Sequence, residues 1–260
     1  ISTDRNLGAV PVSADVDALT LNGGTLEVTA DATLASNRGV SLGSSGGTFQ
    51  IDPSVSVNYA GVVAGTGGLT KTGSGTLALN GSNTYSGGTS INAGLVQLGD
   101  GAALGTAAAT VASGAALDVN GQSITNALTV SGTGISGGGA ITNSGTGEAT
   151  LGGAITLAAD SSWVTGGAIK VTGTVDGAKA LTVTGTGGLT LEGGVGQTTA
   201  LTSVSISAPL TLGADISTSG TQTYGGAVTL SGGDRTLSGT TINTQSTLAG
   251  GGNALTIAGA

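Results

Sequence analysis

The sequence predicts an all-β fold: a right-handed, single-stranded parallel β-helix, or β-solenoid, with about 20 residues per coil. Three observations lead there. Short strands in which an aliphatic residue alternates with Thr or Ser, such as Leu189-Thr-Leu191 and Leu210-Thr-Leu212, recur along the chain, and no helical period accompanies them. Glycine supplies 52 of the 260 residues, well above the usual share of roughly 7%, so tight turns must be frequent. Finally, the strands beginning at Leu189, Leu210 and Val228, followed by Leu248, are spaced by 21, 18 and 20 residues. Leu77, Leu95 and Leu117 repeat that spacing at 18 and 22. Stacked coils tolerate such an uneven period, because insertions fall in corner loops while inward positions stay apolar.

The same glycine content would suit collagen or a disordered chain. Collagen fails, since glycine has no three-residue period and only 3 prolines are present. Disorder is disfavoured by 38% hydrophobic and 8% charged residues. Aromatic residues are 2% of the chain, namely Phe49, Tyr59, Tyr85, Trp163 and Tyr224, so the core must be narrow and aliphatic. Opposing strands within a coil sit close together, and Ala, Val, Leu and Thr fit there.

Taken in order, residues 1–18 carry the densest charge, with Asp4, Arg5, Asp15 and Asp17, plus Pro11. They read as a lead-in segment or linker, and 19–260 as one continuous β-helix. Strand signals begin with Leu19-Thr-Leu21, then a turn at Asn22-Gly23-Gly24, then Thr25 to Val28. Asn-Gly recurs at 80 and 120, and Asp-Gly at 100 and 176. Such dipeptides equally suit antiparallel hairpins, so the longer spacing decides for coils. Asn22, Asn80, Asn92 and Asn120 sit near corners, where they either stack as amide ladders or simply tolerate positive φ. About thirteen coils at the spacing of paired strands would make a rod on the order of 60 Å.

The clearest stretch is Gly65 to Gly99, with Leu69, Leu77, Leu79, Ile91, Leu95, Val96 and Leu98 as apolar knobs between glycine corners. Its Gly-Leu-Thr-Lys at 68–71, Gly75-Thr76-Leu77, Asn83-Thr84-Tyr85, Gly87-Gly88-Thr89, Asn92, Gly94 and Leu98-Gly99 resemble the autotransporter-associated β-strand repeat. That repeat belongs to the passenger regions of giant proteins which Gram-negative bacteria secrete to their surface. Residues 174–242, with Ala-Leu-Thr-Ser, Leu-Gly-Ala-Asp and Thr-Gln-Thr-Tyr-Gly-Gly, resemble repeats of filamentous-haemagglutinin-like exoproteins. Both resemblances imply a β-helical fold, export across the outer membrane and a cell-surface location.

Composition narrows the partners. Six bases against fourteen acids give a net charge of −8, and Arg5, Arg38, Lys71, Lys170, Lys179 and Arg235 are too scattered to track phosphates, so no nucleic acid is expected. No run of about 18 apolar residues occurs, so no membrane insertion of this segment is expected. Cysteine is absent, which fits a chain that crosses a periplasm unfolded. Methionine is absent too, so residue 1 is not an initiator and the chain reads as a processed product or a piece of something longer.

Catalytic chemistry finds little footing. Gly43-Ser-Ser45-Gly-Gly47 matches a nucleophile elbow in letters, but the chain has no histidine. Gly132-x-Gly134-x-x-Gly137 and Gly73-x-Gly75-x-x-Ala78 match a dinucleotide fingerprint without opening a helix, and read as turns. β-Helical polysaccharide enzymes need clustered carboxylates, and here the acids are solitary. Asp100 with Asp118, or Glu192 with Asp215, are one coil apart and could stack; solvated corner charges are the simpler account. Trp163 would cap a coil or serve as a sugar platform. No catalytic, cofactor-binding or metal-ligating residues are assigned, and no cofactor.

The reading is therefore a structural or adhesive segment of a large bacterial exoprotein, a rigid β-helical stalk mediating adhesion or aggregation. Its partners would be host or sister-cell surfaces, glycans among them. The alternative is a self-assembling extracellular fibre subunit stacking end to end, since no amphipathic helix is visible at either end to serve as a cap. A polysaccharide-processing enzyme is a third, weaker alternative.

Overall fold

A computed structural model describes residues 1–259. The described residues are almost entirely strand and turn, with two short 3₁₀ segments, Asp4–Leu7 and Ile135–Gly137. The chain forms two compact units, Ile1–Asp118 and the residues from Val119 onward. Each is a β-solenoid whose strands pair in parallel with strands about 20 residues away.

In the first unit the coil has three sides. One side stacks Asp15–Leu21, Arg38–Leu42 and Val63–Gly65. The second stacks Gly24–Val28, Gly47–Ile51, Leu69–Thr72, Thr89–Ile91 and Ala109–Val111. The third stacks Ala32–Leu34, Ser56–Tyr59, Thr76–Leu79, Gly94–Leu98 and Ala115–Asp118. Side chains alternate along each strand, so a fixed register makes inward columns. Leu34, Tyr59, Leu79 and Leu98 form one such column, and Val57, Leu77, Val96 and Leu117 another, all of them buried. Each fully buried aliphatic side chain contributes about 1.5–3 kcal/mol.

The second unit repeats the plan. Ala149–Leu151, Ile169–Val171, Leu189–Leu191, Leu210–Leu212, Val228–Leu230 and Leu248–Ala249 stack on one side. Leu189, Leu210, Val228 and Leu248 are in register there, which is the column that the 21, 18 and 20 residue spacing marks. A second side runs through Ile141, Trp163, Val183, Ile206 and Tyr224. The third passes through Leu128, Ile155 and Val175, then Val195 and Ile216, then Leu237 and Ile257. The strand Ile155–Thr165 serves two sides, pairing at its start with Leu128–Val130 and at its end with Ile141–Asn143.

Several sequence expectations change in detail. The strands that flank the Asn-Gly and Asp-Gly dipeptides pair in parallel with strands of neighbouring coils, so these dipeptides turn corners. The partner of Leu77 is Val96, not Leu95; a shift of one residue puts Leu95 on the outward face, half-exposed. Of the four corner asparagines only Asn120 has positive φ. Asn22 instead accepts a hydrogen bond from the Ser45 N–H at 2.9 Å, and Asn80 Nδ2 donates to Asn58 Oδ1 at 2.6 Å. The glycines owe much of their number to close approach of coils. At Gly173 a Cβ would collide with the carbonyl of Gly153 one coil away, and at Gly193 with that of Gly173.

Candidate functional site

The solitary charges have work within the coil stack. Carboxylate oxygens of Asp31, Asp160, Asp176, Asp215 and Asp234 accept hydrogen bonds from the backbone N–H groups of Ser56, Ala180, Thr198, Thr236 and Ala254, each one coil further on. Such bonds fill gaps in the ladder where the chain turns and no strand carbonyl is in line. The carboxylates proposed to stack do not. Asp118 lies opposite Gln97, whose amide donates to it at 2.9 Å, while Asp100 accepts from the Ala102 N–H in its own turn. Glu192 pairs with Lys170 at 2.7 Å, and Asp215 is engaged by Thr236. No group of three metal-ligating side chains occurs among the described residues.

Polar side chains inside the coils were not legible as such. Lys71 lies in register between Phe49 and Ile91 on an inward column and is fully buried. Its ammonium donates to the carbonyls of Thr72, Gly73 and Ala93 at 2.9, 2.7 and 3.1 Å, and burial lowers its pKa to about 8. The signal was parity: in Leu69-Thr-Lys71 the lysine stands two residues from a core leucine. Asn83 spans three coils, accepting from the Val63 N–H at 2.8 Å and donating to the Ala103 carbonyl at 2.6 Å. Asn143 accepts from Gly121 and Gly145 and donates to Gly147 and Ala168. Gln222 donates to the Ser238 carbonyl and accepts from Tyr224 Oη. These buried amides take the place of missing ladder bonds.

All five aromatic side chains are buried. Trp163 sits in the column between Ile141 and Val183, so it is neither an end cap nor a sugar platform. Phe49 and Tyr59 stack with centroids 6.3 Å apart. Tyr59 Oη donates to the Arg38 carbonyl at 2.7 Å, and Tyr85 Oη shares a hydrogen bond with Thr89 Oγ1 at 2.5 Å. Burial raises the pKa of Tyr59, Tyr85 and Tyr224.

What faces solvent is a set of polar rows repeating once per coil. In the first unit Thr25, Thr48, Thr70, Ser90 and Thr110 are in register, at a spacing of about 4.8 Å. The neighbouring side carries Thr33, Asn58, Ala78 and Gln97 in register, and the row runs into the buried Asp118. Ala78 leaves a hollow there of about 360 Å³, lined also by Asp31 and Ser56. In the second unit Thr150, Lys170, Thr190, Thr211 and Thr229 align. These surfaces offer hydroxyl, amide and carboxylate groups, and no ring for a sugar to stack on. Their chemistry is hydrogen bonding to a partner.

A parallel solenoid with polar side rows and a structural interior is the class these features define. Within it, residues 69–98 match the Passenger-associated-transport-repeat family; they hold the strands Leu69–Thr72, Thr76–Leu79, Thr89–Ile91 and Gly94–Leu98. The chain is similar to "Adhesin BmaC autotransporter" of Brucella suis biovar 1 (strain 1330), with 42% identity over 88 residues. That match covers 34% of this chain and 2% of the relative, so the chain spans a small fraction of that protein's length. No solved structure matches. The resemblance to autotransporter passengers read from Gly65 to Gly99 is borne out.

Proposed function

We propose that this chain is an adhesive segment of an autotransporter passenger, secreted to the surface of a Gram-negative bacterium, where it contacts host or sister cells. The observation that carries the reading is the transport repeat at 69–98, lying within stacked coils of a chain related to an adhesin over 88 residues. The role is mechanical and interfacial rather than enzymatic. Backbone ladders and inward columns hold the coils, and the outward rows of Thr, Ser, Asn and Gln make the contacts. Glycans on the opposing surface suit these rows through their hydroxyls, each row repeating a hydrogen-bonding group at every coil.

The test is display. The 260-residue chain is placed between an export signal and an outer-membrane exporter in a non-adherent Gram-negative host. Surface exposure is verified with an antibody, and binding to epithelial cells and settling of the culture are scored. Displaying cells are expected to adhere or aggregate several-fold more than cells carrying the exporter alone, and soluble chain should compete. Full display with neither adhesion nor aggregation would contradict the reading.

A further inference from the structure

On the third side of the first unit the outward row is interrupted once. Thr33, Asn58, Ala78 and Gln97 follow one another in register, and of these Ala78 alone carries no polar group. From Asn58 to Gln97 is two coil steps, about 9–10 Å, with a single methyl between them. That methyl is the floor of the hollow of about 360 Å³, whose lining includes Asp31, Thr33, Asn58, Thr76 and Gln97. The gap is wide enough for one pyranose ring with its hydroxyls.

Neighbouring hydrogen bonds decide which polar atoms are left for a ligand. Asn58 Oδ1 accepts from Asn80 Nδ2 at 2.6 Å, so Asn58 Nδ2 remains a donor. Gln97 Nε2 donates to Asp118 Oδ2 at 2.9 Å, so Gln97 Oε1 remains an acceptor. Asp31 Oδ1 accepts from the Ser56 N–H at 2.8 Å, which leaves Oδ2 as a second acceptor, and the hydroxyls of Thr33 and Thr76 can do both. One donor and two acceptors around a methyl floor match vicinal hydroxyls above the C–H face of a sugar ring. Other ligand classes fit poorly. Among the described residues no base lines the hollow, so a sulfate, phosphate or carboxylate would meet only the like charge of Asp31. An extended peptide has no edge to join, because Ser56–Tyr59 and Thr76–Leu79 are each paired on both sides.

We propose that this hollow is a subsite for one neutral hexose unit, held by Asp31, Asn58 and Gln97 over the Ala78 methyl, a site that rests on the glycan-contacting role given to the outward rows above. No aromatic ring stacks on the sugar, so a single unit binds weakly. Many displayed chains acting together supply the strength that one site lacks. Residue 78 controls access: a longer polar side chain there continues the row and closes the hollow.

The experiment is saturation-transfer difference NMR on the soluble 260-residue chain, titrated with the methyl glycosides of glucose, galactose and mannose, and with that of glucuronic acid as the anionic comparison. At least one neutral glycoside should bind, and the glucuronide should bind at least about tenfold more weakly. Ala78→Gln should weaken the neutral glycoside at least about tenfold, whereas Thr110→Gln, on the neighbouring side, should leave it unchanged. Should Ala78→Gln lose its strand spectrum, Ala78→Thr is measured in its place. Binding of no neutral glycoside by the parent, equal binding by parent and Ala78 variant, an equal loss in Thr110→Gln, or preference for the glucuronide would each overturn the site. If displaying cells still adhere in such a case, the site falls and the adhesive reading stands. Sugar binding that Ala78→Gln abolishes, together with displaying cells that do not adhere, would uphold the site and overturn that reading.

Discussion

Replacing Gly173 by alanine is expected to destabilise the second unit by about 3 kcal/mol, although the change adds one methyl group to a surface turn. The new Cβ would meet the Gly153 carbonyl of the preceding coil inside any tolerable contact, with backbone atoms as the obstacle and no flexible side chain to give way. Coils stack at the spacing of paired strands, so relief requires that two coils part. The ladder bonds of Ile169–Val171 to Ala149–Leu151 would then weaken. Hydrogen exchange should show the loss concentrated in those strands, as a quasi-one-dimensional stack implies. The matched control is Gly114→Ala. Gly114 has φ +82 but open space around its Cβ position, so only the backbone strain of about 1 kcal/mol is expected. Equal effects at the two sites, read by urea denaturation, would refute the steric account.

Lys71→Met is expected to cost about 2–4 kcal/mol at pH 7. Methionine has the right length for the column between Phe49 and Ile91, but it leaves the carbonyls of Thr72, Gly73 and Ala93 without their donor. A pH signature separates this from simple repacking. The buried ammonium releases its proton near pH 8, against 10.5 for an ordinary lysine. Between those values the unfolded chain binds more protons than the native one, so native stability rises with pH. The ceiling is about 3 kcal/mol. Near pH 10 the trend turns over, because Tyr59, Tyr85 and Tyr224 have raised pKa values and unfolding lets them ionise. Denaturation at pH 7 and pH 9.5 should therefore show the parent gaining stability and Lys71→Met staying flat. A parent curve that falls over this interval would contradict the caged-ammonium account.

Inward apolar columns were legible because they obey two periods at once, two residues along a strand and about 20 between coils. Leu189, Leu210, Val228 and Leu248 satisfy both. Where neighbouring residues are alike the period blurs, and Leu95 and Val96 could be told apart only by the register with Leu77. Polar interior positions followed a different logic. Asn83, Asn143 and Gln222 are buried because corner loops from neighbouring coils leave amides and carbonyls unpaired there, and which loops meet is set by insertions that spacing cannot place. The anchoring of residues 4–9 was missed for a similar reason: Arg38 reaches back more than 25 residues to Asp4, Leu7 and Gly8, and neither end of that contact has a local pattern. The outward rows, by contrast, follow from strand parity alone.

The account rests on coils stacked in one register, and paired cysteines test that most directly, since the chain has none of its own. Thr70 and Ser90 face each other on adjacent coils, and Thr110 is one coil further. Adjacent positions about 4.8 Å apart are within disulfide reach, while twice that distance is not. Mild oxidation of the double variant Thr70→Cys, Ser90→Cys should close a disulfide in nearly every molecule, and Thr70→Cys, Thr110→Cys should remain open. Closure of the second pair, or failure of the first in a chain with an intact strand spectrum, would contradict the solenoid.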